Sequence, residues 1–256
     1  MSARRWALVT GVGRRVGIGA AICRALAADG ISICFTGWTK YDSAVHGGEH
    51  RTWHESFAAE LEGPGVEAFG MEVDLSDPGE IEPLMETVLA RTGGVSILVN
   101  NAAFSTNGDI DELTAKQLDD HYAVNVRGMA LLTQAFVRQW SGDSGGRVVN
   151  MTSGQGLGPM PGELAYAASK GAVEAFTTSA APTLGMRGIT INAVNPGPTD
   201  TGWMSDELRD ILLPQFPLGR IGLPEDAARL VAFLCSPEAG WITGQVMNSE
   251  GGFWRR

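Results

Sequence analysis

Trp6-Ala7-Leu8-Val9-Thr10 runs directly into Gly11-Val12-Gly13-Arg14-Arg15-Val16-Gly17-Ile18-Gly19, and then into Ala20-Ala21-Ile22-Cys23-Arg24-Ala25-Leu26-Ala27. The first piece is short, apolar and closed by glycine, which reads as a strand buried on both faces, as parallel strands are. The last carries an apolar stripe at helical spacing. Glycines between them let a backbone approach a phosphate, and the free N–H groups and dipole at a helix N-terminus attract its charge. A glycine cluster alone could equally be a tight turn. The strand before it and the helix after it are what point to a dinucleotide.

The same alternation continues along the chain. Strands are read at 31–35, 66–74, 96–100, 148–153, 189–194 and about 245–248, and helices at 77 to about 91, about 114–140, 162–184 and 224–235. Residues 202–222 read as a mobile segment. Strands alternating with helices predict one α/β domain over 1–256, a Rossmann-type doubly wound parallel sheet of about seven strands with helices on both faces. Ligands in such sheets bind beyond the carboxyl ends of the strands. The unusual polar or glycine clusters fall there: 11–19, Asp74-Leu75, Asn100-Asn101-Ala102-Ala103, Ser153, and Pro196-Gly197-Pro198-Thr199-Asp200-Thr201.

Composition narrows the partners. A formal charge of −10, from 19 Lys and Arg against 29 Asp and Glu, argues against nucleic acid or an acidic membrane, since both reward clustered cations. No run approaches the ~18 apolar residues of a spanning helix. The start of the chain carries no apolar leader segment, and the three scattered cysteines, Cys23, Cys34 and Cys235, read as buried thiols in a reducing compartment. A cytoplasmic location is expected. Residues 41–55 read as a polar surface loop whose His46, His50 and His54 do not make a metal site, because Gly47-Gly48 interrupts a helix there and no further ligands complete a set.

Two pairings carry chemistry. Tyr166 and Lys170 stand one helical turn apart, so phenol and ammonium leave the same face, and a nearby cation lowers a phenol pKa from its usual ~10. The end of the second strand, Thr36-Gly37-Trp38-Thr39-Lys40, lacks the acid that commonly binds an NAD ribose. Arg14 and Arg15, with Lys40, are instead placed to meet a 2′-phosphate. NADP(H) is therefore expected over NAD(H).

Together these residues resemble the short-chain dehydrogenase/reductase family along essentially the whole chain. Thr10, Gly11, Gly17 and Gly19 match its Thr-Gly-x-x-x-Gly-x-Gly motif with two extra residues, and Asn100-Asn101-Ala102-Ala103 is similar to its Asn-Asn-Ala-Gly. Ser153, Tyr166 and Lys170 match its catalytic Ser, Tyr and Lys, and Asn125 falls at its fourth catalytic position. The resemblance implies cofactor contacts from Thr10, Gly11, Gly13, Arg14, Arg15, Gly17, Ile18 and Gly19 in the turn. Further contacts are implied for Asp74 and Leu75 near adenine, Asn101 and Ala102, Tyr166 and Lys170, and Pro196, Gly197, Thr199 and Thr201 near the nicotinamide.

Residues 219–228 and 241–252 look like the branch containing 3-oxoacyl-[acyl-carrier-protein] reductases, with Glu250 where that branch usually has Asp. The implied reaction is NADPH-dependent reduction of a ketone or 3-oxoacyl thioester. Tyr166 would donate the proton, Ser153 would bond the oxyanion, and Asn125 would hold a water leading to Lys170. Met160, Trp203, Met204 and Phe216 fall in segments that line or cover the substrate pocket in this fold. The alternatives are an NAD(P)+-dependent alcohol dehydrogenase and a non-catalytic NADP(H)-binding regulator. A homotetramer is implied as well.

Overall fold

Seven strands line up side by side: β1 (Trp6–Val9), β2 (Ser32–Gly37), β3 (Ala68–Glu72), β4 (Ile97–Asn100), β5 (Gly146–Met151), β6 (Ile189–Asn195) and β7 (Val246–Asn248). In this computed structural model, which describes residues 4–46 and 53–255, they form one sheet in the order β3-β2-β1-β4-β5-β6-β7. Every neighbouring pair is parallel. The chain winds outward from β1 to β3, then crosses back to β4 and winds the other way. The reversal opens a crevice between the carboxyl ends of β1 and β4, which is the doubly wound architecture expected from the alternation.

Successive strand residues face opposite layers. Ala7 and Val9 pack with α1 (Ile18–Ala28), α3 (Trp53–Leu61) and α9 (Pro224–Cys235). Trp6 and Leu8 pack with α4 (Ile81–Thr92), α6 (Met129–Gln139) and α7 (Leu164–Gly185). Because both faces are covered, the central strands carry near-continuous apolar runs.

Three sequence expectations need correction. The surface loop expected over 41–55 is helical at both ends, with α2 (Thr39–His46) before it and α3 beginning at Trp53. The cause is an apolar stripe that begins inside that window: Trp53 and Phe57 are buried, stack 4.5 Å apart and close over Phe35. Residues 202–222 contain a further helix, α8 (Asp206–Leu212), capped by the Ser205 hydroxyl on Leu208 N. The helix read as continuous over 114–140 begins with α5 (Ala115–His121), passes through a π-helical turn at Tyr122–Gly128, and resumes as α6.

The sheet centre also buries amides. Asn100 Nδ2 donates to Asn150 Oδ1 at 2.8 Å and to Thr133 Oγ1 at 3.1 Å, while Asn150 Nδ2 donates to Thr177 Oγ1 at 2.9 Å. This chain ties β4 and β5 to α6 and α7, and so fixes the helix that carries Tyr166. Removing one member leaves buried polar partners unpaired, which costs more than the bond itself returns. Asn150→Ala is expected to lower stability by about 2–3 kcal/mol, seen as a lower urea midpoint with an unchanged m-value.

Candidate active site

The glycine turn is shaped by what lies against it. Gly11 has φ +70°, and a Cβ there would stand 2.5 Å from Ala102 Cα; one at Gly19 would stand 2.7 Å from Asn101 Nδ2. Backbone is thus packed on backbone, a fit that side chains would prevent. Buried Thr10 locks the arrangement, its hydroxyl accepting from Asn101 N and Ala102 N at 3.1 Å each. Asn101 Nδ2 returns bonds to Thr10 O and Gly11 O, at 2.8 and 3.0 Å.

The result is a cleft of about 960 Å³, lined at one end by Gly11, Gly13, Gly17, Ile18 and Gly19 and at the other by Ser153 and Tyr166. Bare glycine backbone leading into the N-terminus of α1 suits a pyrophosphate, so these residues fit a dinucleotide. Leu75 and Asp74 line the same cleft at the end of β3, with Asp74 Oδ1 accepting from Ser76 N and Oγ. Ala102, Pro196, Gly197, Thr199 and Thr201 line it as well.

Only one of the three expected 2′-phosphate cations lines the cleft. Arg14 does so, and donates to Thr201 O at 3.0 Å and Thr201 Oγ1 at 3.1 Å. Arg15 turns away, paired with Glu60 and lying over the Trp53 ring, because α3 supplies both partners. Lys40 is exposed above the Trp38 ring. An acid unforeseen in the sequence stands nearby: a Cβ added at Gly13 would fall 1.8 Å from Asp42 Oδ2. Its charge raises the Arg14 pKa, against a larger lowering by burial.

β5 delivers Ser153 just past its end, and the first two turns of α7 carry Tyr166 and Lys170. Lys170 lies beneath the cleft, 3% exposed, with Nζ donating to Met151 O at 2.8 Å and standing 5.5 Å from the Tyr166 ring centroid. Burial pushes its pKa down to about 8. The expected lowering of the phenol pKa by Lys170 is not what this geometry gives. Burial pushes Tyr166 up to about 12; the Ser153 hydroxyl, hydrogen-bonding the phenol, opposes this, while Glu163 and Tyr41 add to it. Desolvation of the phenolate outweighs a cation that faces the ring.

Asn125 sits in the π-helical turn, a distortion often found at functional sites. It is 2% exposed, its Oδ1 accepting from Phe104 N at 2.7 Å and its Nδ2 donating to Phe104 O and Ser169 Oγ at 2.9 Å each. It therefore clamps the loop after β4 onto α7. Lys170, Thr10, Asn125 and Arg15 stand outside the cleft wall, the first three immediately behind residues that form it.

At the Ser153 end, Met160 and Trp203 line the cleft, whereas Met204 and Phe216 are packed inside, each 4% exposed. Tyr41, Glu163 and Arg255 also line it and were missed in the sequence. Glu163, three residues before Tyr166, could have been found by helical spacing. Tyr41 lay in the stretch read as loop, and Arg255 offers no local signal. His50 and the side chain of His46 lie outside the described residues. His54 packs edge-on against Phe35, 3.5 Å from Glu72, and no group of metal-ligating side chains gathers among the described residues.

A family model described as enoyl-(acyl carrier protein) reductase matches residues 11–254. An uncharacterised oxidoreductase of Bacillus subtilis, YjdA, is 51% identical over 99% of this chain and 98% of its own. The 3-oxoacyl-[acyl-carrier-protein] reductase FabG of Staphylococcus aureus is 34% identical over 99% of this chain and 100% of its own. The crystal structure of a short chain dehydrogenase from Burkholderia cenocepacia in complex with NADP superimposes with a TM-score of 0.84 at 36% identity, covering 97% of each chain. With these likenesses spanning nearly its full length, the chain belongs to the short-chain dehydrogenase/reductase family and is an NAD(P)-dependent oxidoreductase.

Proposed function

We propose that this enzyme reduces a ketone, a 3-oxoacyl thioester being one candidate, to a secondary alcohol with NADPH. The observation that carries the reading is the meeting, in one cleft, of a glycine cradle with Ser153 and Tyr166 above buried Lys170. A nicotinamide dinucleotide bound along the cradle supplies the hydride. Ser153 Oγ donates a hydrogen bond to the carbonyl oxygen as charge builds on it, worth about 2–4 kcal/mol for donors of this kind. Tyr166 gives its phenolic proton to that oxygen. Asn125 holds α7 to the loop after β4 and so keeps the phenol in place.

Burial pushes the Tyr166 phenol up, so it keeps the proton that ketone reduction requires of it. NADP(H) preference is supported by Arg14 in the cleft wall, by the lack of an acid within β2, and by the NADP bound in the Burkholderia relative. A cytoplasmic homotetramer completes the reading, and a monomer in light scattering would remove that part of it.

Tyr166→Phe is expected to lower ketone turnover at least ~100-fold while NADPH still binds; near-normal turnover would overturn the assignment. NADPH should give the higher kcat/KM, and Arg14→Ala should narrow its lead over NADH. Although burial outweighs it in setting the resting phenol pKa, the charge on Lys170 still attracts the negative charge left on Tyr166 as its proton departs, so kcat for reduction should fall as pH rises through about 8, where Lys170 loses its charge. That inflection should vanish in Lys170→Met.

The lysine also opposes folding. Its folded pKa of about 8 lies below the usual lysine value of 10.5, a gap corresponding to about 3 kcal/mol. The cost is full below pH 8 and is relieved as pH rises towards 10.5. Lys170→Met should therefore melt higher than wild type at pH 7, with the difference narrowing between pH 8 and 10.

A further inference from the structure

The substrate end of the cleft holds a cation that the reaction described above does not use. Arg255 lies on the cleft wall with its guanidinium against Gly154, the residue after Ser153. A Cβ added at Gly154 would stand 2.0 Å from Arg255 Nη2, and one at Gly158 would stand 2.9 Å from Arg255 Cδ. Two glycines thus leave the space that the arginine occupies. The side chain is held from behind, where Nη1 and Nη2 donate to the two Glu250 oxygens at 2.8 and 2.7 Å in a pair only 18% and 10% exposed. Glu250 Oε2 also accepts from Asn195 Nδ2 at 2.9 Å, and Asn195 Oδ1 accepts from Gly197 N at 2.9 Å. The Phe253 ring supports the guanidinium, 5.2 Å from its carbon, and Trp254 N donates to Gln215 O at 2.9 Å to pin the tail.

The geometry points to Arg255 as a substrate-recognition residue that takes a carboxylate standing a few bonds from the reacting carbonyl, with Glu250 as its positioning residue. This assignment rests on the carbonyl reduction proposed above. A guanidinium has five N–H donors, and Glu250 engages two, leaving three for a ligand. Of the charged side chains lining the cleft, Arg14, Asp42 and Asp74 belong to the glycine-turn end, which leaves Arg255 and Glu163 near Ser153 and Tyr166. Burial raises the Glu163 pKa and so disfavours its charge, whereas a guanidinium stays charged at any working pH. Apolar side chains of Met160, Trp203, Leu212 and Phe253 line the same cleft. A charge-assisted hydrogen bond beside such groups is stronger than one between neutral partners. The pair with Glu250 removes net charge but fixes the donors in direction, and an anion is recognised by directed N–H groups as much as by charge.

The test compares 3-oxobutanoate and 4-oxopentanoate with their methyl esters as substrates of the full-length enzyme with NADPH. In wild type the kcat/KM for at least one acid should exceed that for its ester, mainly through KM. In Arg255→Gln the acid-to-ester ratio should fall by about 30-fold, the scale of one charge-assisted bond. Arg255→Lys should recover part of it, and Glu250→Gln should lower it less than Arg255→Gln does. Wild type favouring both esters, or an Arg255→Gln variant that loses acid and ester activity in parallel, would reduce the residue to a latch for the tail and overturn the proposal. Calorimetric titration with 3-hydroxybutanoate supplies a readout without turnover, with saturable binding expected in wild type and lost in Arg255→Gln. If no ketone or ester is reduced, the reaction reading fails; if the hydroxy acid does not bind wild type either, the Arg255 assignment fails separately.

Discussion

Gly11 and Ala102 approach so closely that a Cβ on Gly11 would stand 2.5 Å from the Ala102 Cα, and the geometry of the cleft follows from that contact. It closes the turn after β1 onto the loop after β4, across the point where the sheet reverses its winding. Thr10 and Asn101 then exchange hydrogen bonds over the seam, so the two loops behave as one wall. The parallel sheet brings the strand ends to one edge, but only backbone-to-backbone packing makes that edge a phosphate-sized cradle.

Behind the cradle, the helix carrying Tyr166 is fixed by polar contacts with little tolerance for change. Asn100, Asn150 and Thr177 link it to the strands, and Asn125 links it to the loop at Phe104. Each is a buried group hydrogen-bonded to named partners within the fold, which favours one arrangement over near alternatives. The same burial tunes the chemistry in opposite senses. It holds a proton on Tyr166 and weakens the hold of Lys170 on its own. Loss of surrounding water, more than a direct contact between the two heads, shifts both in the senses observed.

The C-terminal tail joins the site by an equally physical route. Glu250 stands where Asp is usual in the branch this chain resembles, and its carboxylate receives both Asn195 and Arg255. The loop containing Pro196 and Gly197 is thereby coupled to the tail through one side chain. Gly154 and Gly158 leave room beside Ser153 for the arginine that this carboxylate holds.

Period and punctuation in the sequence determined the strand–helix alternation, and with it a parallel sheet whose carboxyl edge gathers Gly11, Asn101, Ser153 and Pro196, because burial on both faces demands apolar strands and reversal of winding demands loops at one edge. The spacing of Tyr166 and Lys170 was legible for the same local reason. Side-chain direction was not. Arg15 and Arg14 are adjacent in sequence, yet one faces Glu60 and the other Thr201, since α3 packs on one side of the turn and the 196–201 loop on the other. The helix that begins at Trp53 was hidden because its burial depends on a side chain of another element, Phe35 of β2. Arg255 joined the cleft only through tertiary structure, by an ion pair and a glycine gap a hundred residues apart, and the order of desolvation over charge at Tyr166 was likewise decided there, because dielectric surroundings belong to the packed molecule and not to a stretch of chain.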